Sequence, residues 1–280
     1  MGLISAIAAI GCLATAGAAS AAFTIGSNLT TPATDNSPGC NLACTTANLA
    51  LPAANQAPNG LVSPVTGTVT SWRIASGSDG NPVSLRVLRP AGTLTFTGVG
   101  TSAPGTTVGG IAGPFPTSLP INAGESIGVD SPTAALILGM NGAATSIYWT
   151  IPPLAEGAAR LGTASPGREV MVQATVEPSN QLAINRVRKN KRKGLAKLVV
   201  TAPNAGSLKL GGKLTKVKGP KRVGAGQRFV VNVKAKGKKA KKLKRKGKVG
   251  VKPKLTYIPD AGTPATRPVK LKLKQKKKRS

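Results

Sequence analysis

The sequence predicts an all-β protein: a jelly-roll or Ig-like β sandwich followed by a small basic β-sandwich domain. Three observations carry that expectation. Apolar and polar residues alternate with a period of two along most of the chain, and sustained helical periodicity is absent. Gly and Pro number 34 and 22 among 280 residues, a share suited to a turn-rich β protein. Charge then steps abruptly. From Ala22 to Pro178 there are five Arg, no Lys and seven acids, whereas from Ser179 to Ser280 there are 34 basic residues and one acid, Asp260. Such a step marks a domain boundary, and it implies an anionic partner for the second half.

The N-terminus, MGLISAIAAIGCLATAGAASAAFT, has an apolar run from Leu3 to about Ala18, then small residues offering cleavage at Ala19-Ser20-Ala21 or Ser20-Ala21-Ala22. That is the layout of a signal peptide over 1–22. No Lys or Arg precedes the apolar run: either the free amine supplies the charge, or, as we expect, the native start lies upstream. The rival is a short membrane anchor, but the run falls below the roughly 20 residues a span needs, so the mature chain is expected to hold no membrane span. Cys12 fits a lipoprotein site poorly, because Ala9-Ile10-Gly11 departs from the usual context.

Segment 23–44 carries the two mature cysteines, Cys40 and Cys44, in PGCNLACTT. In an exported chain an even pair this close reads as a disulfide across a small loop. A two-Cys metal site is the alternative. It lacks further ligands, since the chain has no His and no other mature Cys.

Residues 45–178 form a series of short apolar segments cut by Gly, Pro, Asn or Ser, the pattern of a β sandwich. In GLVSPVTGTVTSWRIASG, Thr66, Thr68, Thr70, Trp72 and Ile74 share one parity, and Val65, Gly67 and Val69 the other. NPVSLRVLRPAG places Val83, Leu85 and Val87 on one face and Arg86 on the opposite one. TLTFTGVGTS repeats the pattern at Leu94 and Phe96, then shifts register at Val99. Further segments follow in LPINAGESIGVD, AALILGM, TSIYWTIPPL and REVMVQATVEP.

Residues 179–193 read as a basic linker, and 194–280 as a lysine-rich Ig-like β domain with a frayed basic end. Within 234–254, KAKGKKAKKLKRKGKVGVKPK, 12 of 21 residues are Lys or Arg. A free basic tail would have no reason to alternate. Yet Phe229, Val231, Val233 and Ala235 share one face, as do Val249, Val251, Leu255 and Tyr257, and Val269, Leu271 and Leu273 alternate with lysines. LAKLVVTAP and GSLKLGGKLTKVKG supply further strands. Ala240 and Leu243, three apart, suggest one helical turn facing the core, and Pro253 belongs at an edge or bulge.

The order is a signal peptide, a short Cys pair followed by Thr, a sandwich bearing SWRIASG, VSLRVLRPAG and LPINAGESIGVD, then a lysine-rich domain ending in YIPDAGTPATRPVKLKLK. It resembles a group of secreted actinobacterial proteins with an Ig-like C-terminal module. The resemblance spans roughly 38–275. It implies export and tandem β domains, and no activity, since none is assigned to the group.

No cofactor is expected, and the residues argue against an enzyme. Absence of His removes Ser-His-Asp and Cys-His catalysis and His-ligated metals. Glu125 and Asp130 are the nearest to a carboxylate pair for glycoside hydrolysis, but five apart on a strand they point to opposite faces. Asp79 in GSDGNP is a turn residue. GTTVGGIAG lacks the Lys-Ser/Thr and helix of a phosphate loop. Trp72, Phe115, Tyr148 and Trp149 are candidate sugar-stacking platforms of a carbohydrate-binding module, against which stands their use as core.

The second half bears 26 Lys against eight Arg. Lys acts as a point charge, whereas Arg forks read guanine edges. Phe229 and Tyr257, its two aromatics, face inward, so base stacking has no platform. The expected partner is therefore an anionic cell-wall polymer or another polyanion, DNA included, held without sequence preference by Lys234, Lys236, Lys248, Lys270, Lys272 and Lys274. The expected localisation is extracellular or wall-associated.

Overall fold

The computed structural model describes residues 22–35, 42–133 and 135–276. The expected signal peptide, Cys12 and Cys40 lie outside them. The architecture is all-β and built from antiparallel sheets, with one α-helix among the described residues.

The first half is a sandwich. One sheet runs β1 (Phe23–Gly26), β13 (Val172–Pro178), β4 (Gly67–Ser76), β8 (Gly110–Ile121). The larger sheet runs β11 (Ala159–Leu161), β6 (Thr95–Thr101), β5 (Pro82–Pro90), β9 (Ser126–Ser131), β3 (Cys44–Ala50), β10 (Leu138–Thr150), β12 (Thr163–Val170). Two short strands join it, β2 (Ala33–Asp35) beside β10 and β7 (Gly105–Thr106) beside β5. The described residues of segment 23–44 belong to the sandwich: β1 adds an edge to one sheet and β2 pairs with β10 in the other.

The main core lies between the sheets and includes Ile25, Val69, Trp72, Ile74, Leu85, Val87, Val129 and Val172. Val69 and Trp72 are of opposite parity, yet both face it. The register of β4 slips between Val69 and Ser71 against β8, and between the matching residues of β13, so Thr70 is a bulge that turns the strand over. The shift expected at Val99 is also present. Val87 pairs with Gly100 and Leu88 with Gly98, leaving Val99 between. Phe96 and Leu94 therefore face outward while Val99 packs on the main core. The outward side is not solvent. Ala47, Leu88, Phe96, Ile147, Trp149 and Leu154 form a second cluster there, closed by the 151–158 loop.

The second half is a smaller sandwich. One sheet runs β14 (Ala183–Asn190), β15 (Leu195–Thr201), β19 (Arg228–Ala235), β17 (Thr215–Lys218). The facing sheet runs β18 (Arg222–Val223), β16 (Gly206–Gly211), β21 (Lys254–Pro259), β22 (Ala265–Pro268), and a two-stranded sheet pairs β20 (Lys248–Val251) with β23 (Leu271–Lys274). Phe229, Val231, Val233, Val249, Val251, Leu255, Tyr257, Leu271 and Leu273 meet in one core, as their alternation requires.

Residues 179–193 are a correction: most of that stretch is not a linker. Ala183–Asn190 pairs with β15 from Ala183↔Thr201 to Asn190↔Leu195. The connection is short and anchored. Buried Asn204 accepts from the Thr66 N–H at 2.8 Å and donates to the Thr66 carbonyl at 2.9 Å and the Ser179 carbonyl at 3.0 Å. One side-chain amide thereby closes a backbone-like pair between the halves.

Candidate functional site

The basic surface begins with α1 (Lys238–Lys246). The single turn expected around Ala240 and Leu243 extends to nine residues, KKAKKLKRK, seven of them cationic. Lys, Arg, Leu and Ala are good helix formers, and Leu243 is its buried anchor. It stops at Gly247, left-handed at φ 66°, whose N–H bonds the Leu243 carbonyl at 2.8 Å. Electrostatics oppose it. Lys238 and Lys242, Lys241 and Arg245, and Lys242 and Lys246 are like charges four apart, and Lys238 and Lys239 sit at the positive end of the helix dipole.

β20 and β23 follow the same logic in a sheet. Val249, Val251, Leu271 and Leu273 are buried, while Lys248, Lys272 and Lys274 are exposed. Lys248 lies directly opposite Lys274, and Gly250 opposite Lys272. On the outer face of the β14–β15–β19–β17 sheet, Arg188 is opposite Lys197 and Lys216 opposite Lys234. Directly opposed residues share a face with Cβ atoms roughly 5 Å apart, where like charges destabilise. Among the described residues Arg222 pairs with Asp260, the domain's one acid, at 2.6 Å. That hydrogen bond holds the Asp260 carboxyl below the ordinary carboxylate range.

The six lysines singled out from sequence do not share one plane. Lys248, Lys272 and Lys274 stand together on the β20–β23 face. Lys270, expected on the same strand, directly precedes β23, where the Val269 N–H turns to the Pro253 carbonyl at 2.9 Å. Lys234 belongs to the other sheet, and Lys236 lies between β19 and α1. Register adds Lys216, Arg188 and Lys197, and chain folding brings Lys239 and Lys252 beside Lys270 and Lys272 around a groove of about 410 Å³. A period-two reading gives facing but not partners, so it misses these residues. A second basic concavity, of about 510 Å³, is lined by Arg188, Lys189, Asn190, Lys191 and Lys197.

The sandwich candidates resolve differently. Trp72 and Trp149 are each 1% exposed, which withdraws both as sugar platforms. Trp72 packs on Phe115 at 4.7 Å, and Trp149 meets Phe96 edge-on at 5.6 Å. Glu125 is buried and accepts from Arg89 Nε at 2.7 Å and the Asn122 N–H at 2.8 Å, tying a turn. Asp79 likewise accepts from the Gly109 N–H.

Asp130 accepts from Thr45 Oγ1 at 2.6 Å and lies 3.3 Å from Arg86 Nη1. Burial is the largest influence on it and raises its pKa, against the Thr45 hydrogen bond and the Arg86 charge. Arg86, 4% exposed, also donates to Thr101 Oγ1 and the Leu154 carbonyl and lies 3.7 Å from Glu156. A Cβ on Gly98 would collide with its guanidinium. Asp130 and Glu125 are thus each committed to a structural arginine, and the arrangement carries no paired acid and base.

Nothing in the sequence pattern singles out Glu169. Fully buried, it accepts from Ser27 Oγ at 2.7 Å and from Thr31 Oγ1 and Asn141 Nδ2 at 2.9 Å, pinning the N-terminal segment to β12.

Cys44 opens β3 and is buried. Among the described residues no cluster of His, Cys, Asp and Glu has metal-binding geometry, and no helix is long and apolar enough to cross a membrane. No protein-family model, curated protein or solved structure matches the chain.

Proposed function

We propose that this is a secreted, non-enzymatic cell-envelope protein whose basic domain associates with anionic wall polymers and so holds the neutral sandwich at the cell surface. The observation that carries the reading is the opposition of like charges across strands, Lys216 with Lys234, Arg188 with Lys197 and Lys248 with Lys274, in a domain with a single acid. A merely solvated surface gains nothing from such pairs, whereas a polyanion laid over them relieves the repulsion. Export rests on the N-terminal layout. The expected cleavage leaves Ala22 or Phe23 as the first residue, at the start of β1, and a Cys40–Cys44 disulfide suits that compartment.

Fractionating native cells into wall, membrane and medium tests the location. The protein is expected in the wall fraction and released by salt; recovery from the medium alone would leave an extracellular polyanion binder, acting on DNA or acidic glycan. Binding is tested on duplex DNA as a model polyanion. About six phosphate contacts give a log–log salt slope near −5, insensitive to base sequence. Changing Lys270, Lys272 and Lys274 to Gln makes the slope shallower while leaving Leu271 and Leu273 in the core. Salt-independent binding, or selectivity for one sequence, would overturn the reading.

A further inference from the structure

We propose that the groove lined by Lys239, Lys252, Lys270 and Lys272 is a defined phosphate-binding site, and that it takes successive phosphates of a flexible, base-free phosphodiester polymer. The inference rests on the proposed function but goes further, since a diffuse charge field needs no groove.

The concavity has a specific cause. Along β20 the outward positions are Lys248 and Gly250, with Lys252 just past the strand, and along β23 Lys272 and Lys274, with Lys270 just before it. Gly250 faces Lys272 with no side chain of its own, so the floor is backbone and the walls are lysine stems. Nothing lies within 4 Å of where a Gly250 Cβ would stand. Its φ is not positive, so the backbone does not demand glycine there. A residue that neither sterics nor torsion requires, in a strand where glycine is unfavourable, is explained by the space it leaves. Lys239 enters from the first turn of α1, where the helix dipole adds positive potential.

The chemistry of the lining selects the ligand. The charged groups are four ammonium ions and no guanidinium. Ammonium is a compact point-charge donor of the kind that binds phosphate, and the lining lacks the Arg fork that grips carboxylate and phosphate bidentately. A groove of about 410 Å³ has room for a short stretch of a single flexible strand. Phe229 and Tyr257, the domain's aromatics, are buried at 7% and 1% exposure, so unstacked bases would gain nothing.

The test is titration of the full-length protein with short oligomers of matched charge: oligo(glycerol phosphate), oligogalacturonate and oligothymidylate. Gly250→Val raises the groove floor and leaves every charge in place; Lys216→Gln with Lys218→Gln removes two charges elsewhere and leaves the groove open. Losing two charge-assisted hydrogen bonds should weaken oligo(glycerol phosphate) binding by about a hundredfold or more in Gly250→Val, more than in the double Lys variant, with wild type preferring it to the other oligomers. Circular dichroism confirms that the variant folds, and Lys239→Gln with Lys252→Gln gives the same loss by an independent route. Equal binding by wild type and Gly250→Val would overturn the groove while leaving salt-dependent polyanion binding, and hence the proposed function, intact. Preference for oligogalacturonate would overturn the phosphate assignment, and equal or tighter binding of oligothymidylate the base-free polymer. Absence of binding to all three would sink both readings together.

Discussion

Arg86 and Lys216 are both cations on β strands, but they stand in opposite electrostatic settings. Arg86 is 4% exposed, with Asp130, Glu156, Thr101 and the Leu154 carbonyl around it. Lys216 is exposed and looks across the sheet at Lys234. In the sandwich, Arg86, Arg89 and Arg168 are each paired with an acid. In the basic domain, Asp260 is the one acid for 34 cations. Charge is therefore internal structure in the first half and external field in the second. Removing a cation should destabilise one and stabilise the other, and that difference in sign is what the proposed anionic partner requires.

The largest expected effect is at Arg86. Changing it to Ala leaves Asp130 buried without its cation, and breaking a buried pair from one side costs about 3 kcal/mol. Trp72 and Trp149, the chain's two tryptophans, are both in the sandwich, so tryptophan fluorescence in urea reports that half alone. A loss below about 1 kcal/mol, the ordinary value of a surface pair, would mean the network is not structural. pH sharpens the test. Burial raises the Asp130 pKa, so between its ordinary and raised values the native state holds a proton that the unfolded chain releases. Sandwich stability should then fall as pH rises through that interval. Without Arg86, whose charge lowers the Asp130 pKa, the fall should be larger.

The proposed Cys40–Cys44 disulfide comes next in size. It would close so short a loop that its entropic contribution would be at most about 2 kcal/mol. Reduction should raise the intact mass of secreted protein by about two hydrogens. It should lower the tryptophan-reported midpoint slightly, through β3, without altering polyanion binding. Free thiols at both positions in unreduced protein would remove the disulfide, and with it one argument for export.

How far these features are legible in the sequence depends on what each requires. Phe229, Val231 and Val233 against exposed Val230 need only a period of two, and they face as read. Val99 announces its bulge because the alternation visibly breaks there. Thr70 does not, because apolar residues occur on both parities around it and either could be core. Alternation puts Arg86 on the face away from Leu85 and Val87, and that much is right. A strand cannot show that its outer face is itself covered, here by the 151–158 loop far along the chain. The basic domain repeats the lesson. Alternation sends its lysines outward, but Lys216 opposite Lys234 and Lys252 beside Lys270 are facts of register and chain return, which local pattern does not carry.

The smallest predicted effect is the one whose sign matters most. Changing Lys216 to Gln removes one member of a directly opposed like-charge pair and should stabilise the basic domain by about 0.2–1 kcal/mol, the range for cross-strand pairs. Arg188→Gln, opposite Lys197, should do the same. Hydrogen exchange of the β19 amides reads this half directly, since tryptophan does not report on it. Salt should imitate the substitution. Raising salt from 0.1 M to 1 M shortens the screening length from about 10 Å to about 3 Å, below the spacing of the opposed residues, so protection in β19 should rise with ionic strength while the tryptophan-reported midpoint of the sandwich moves little. The gain from Lys216→Gln should then shrink at high salt, and an added phosphate polymer should raise β19 protection in wild type more than in the variant. If Lys216→Gln instead destabilises the domain at low salt, the lysine stem contributes more by packing than its charge costs. The two halves would then differ in composition without differing in the role that charge plays.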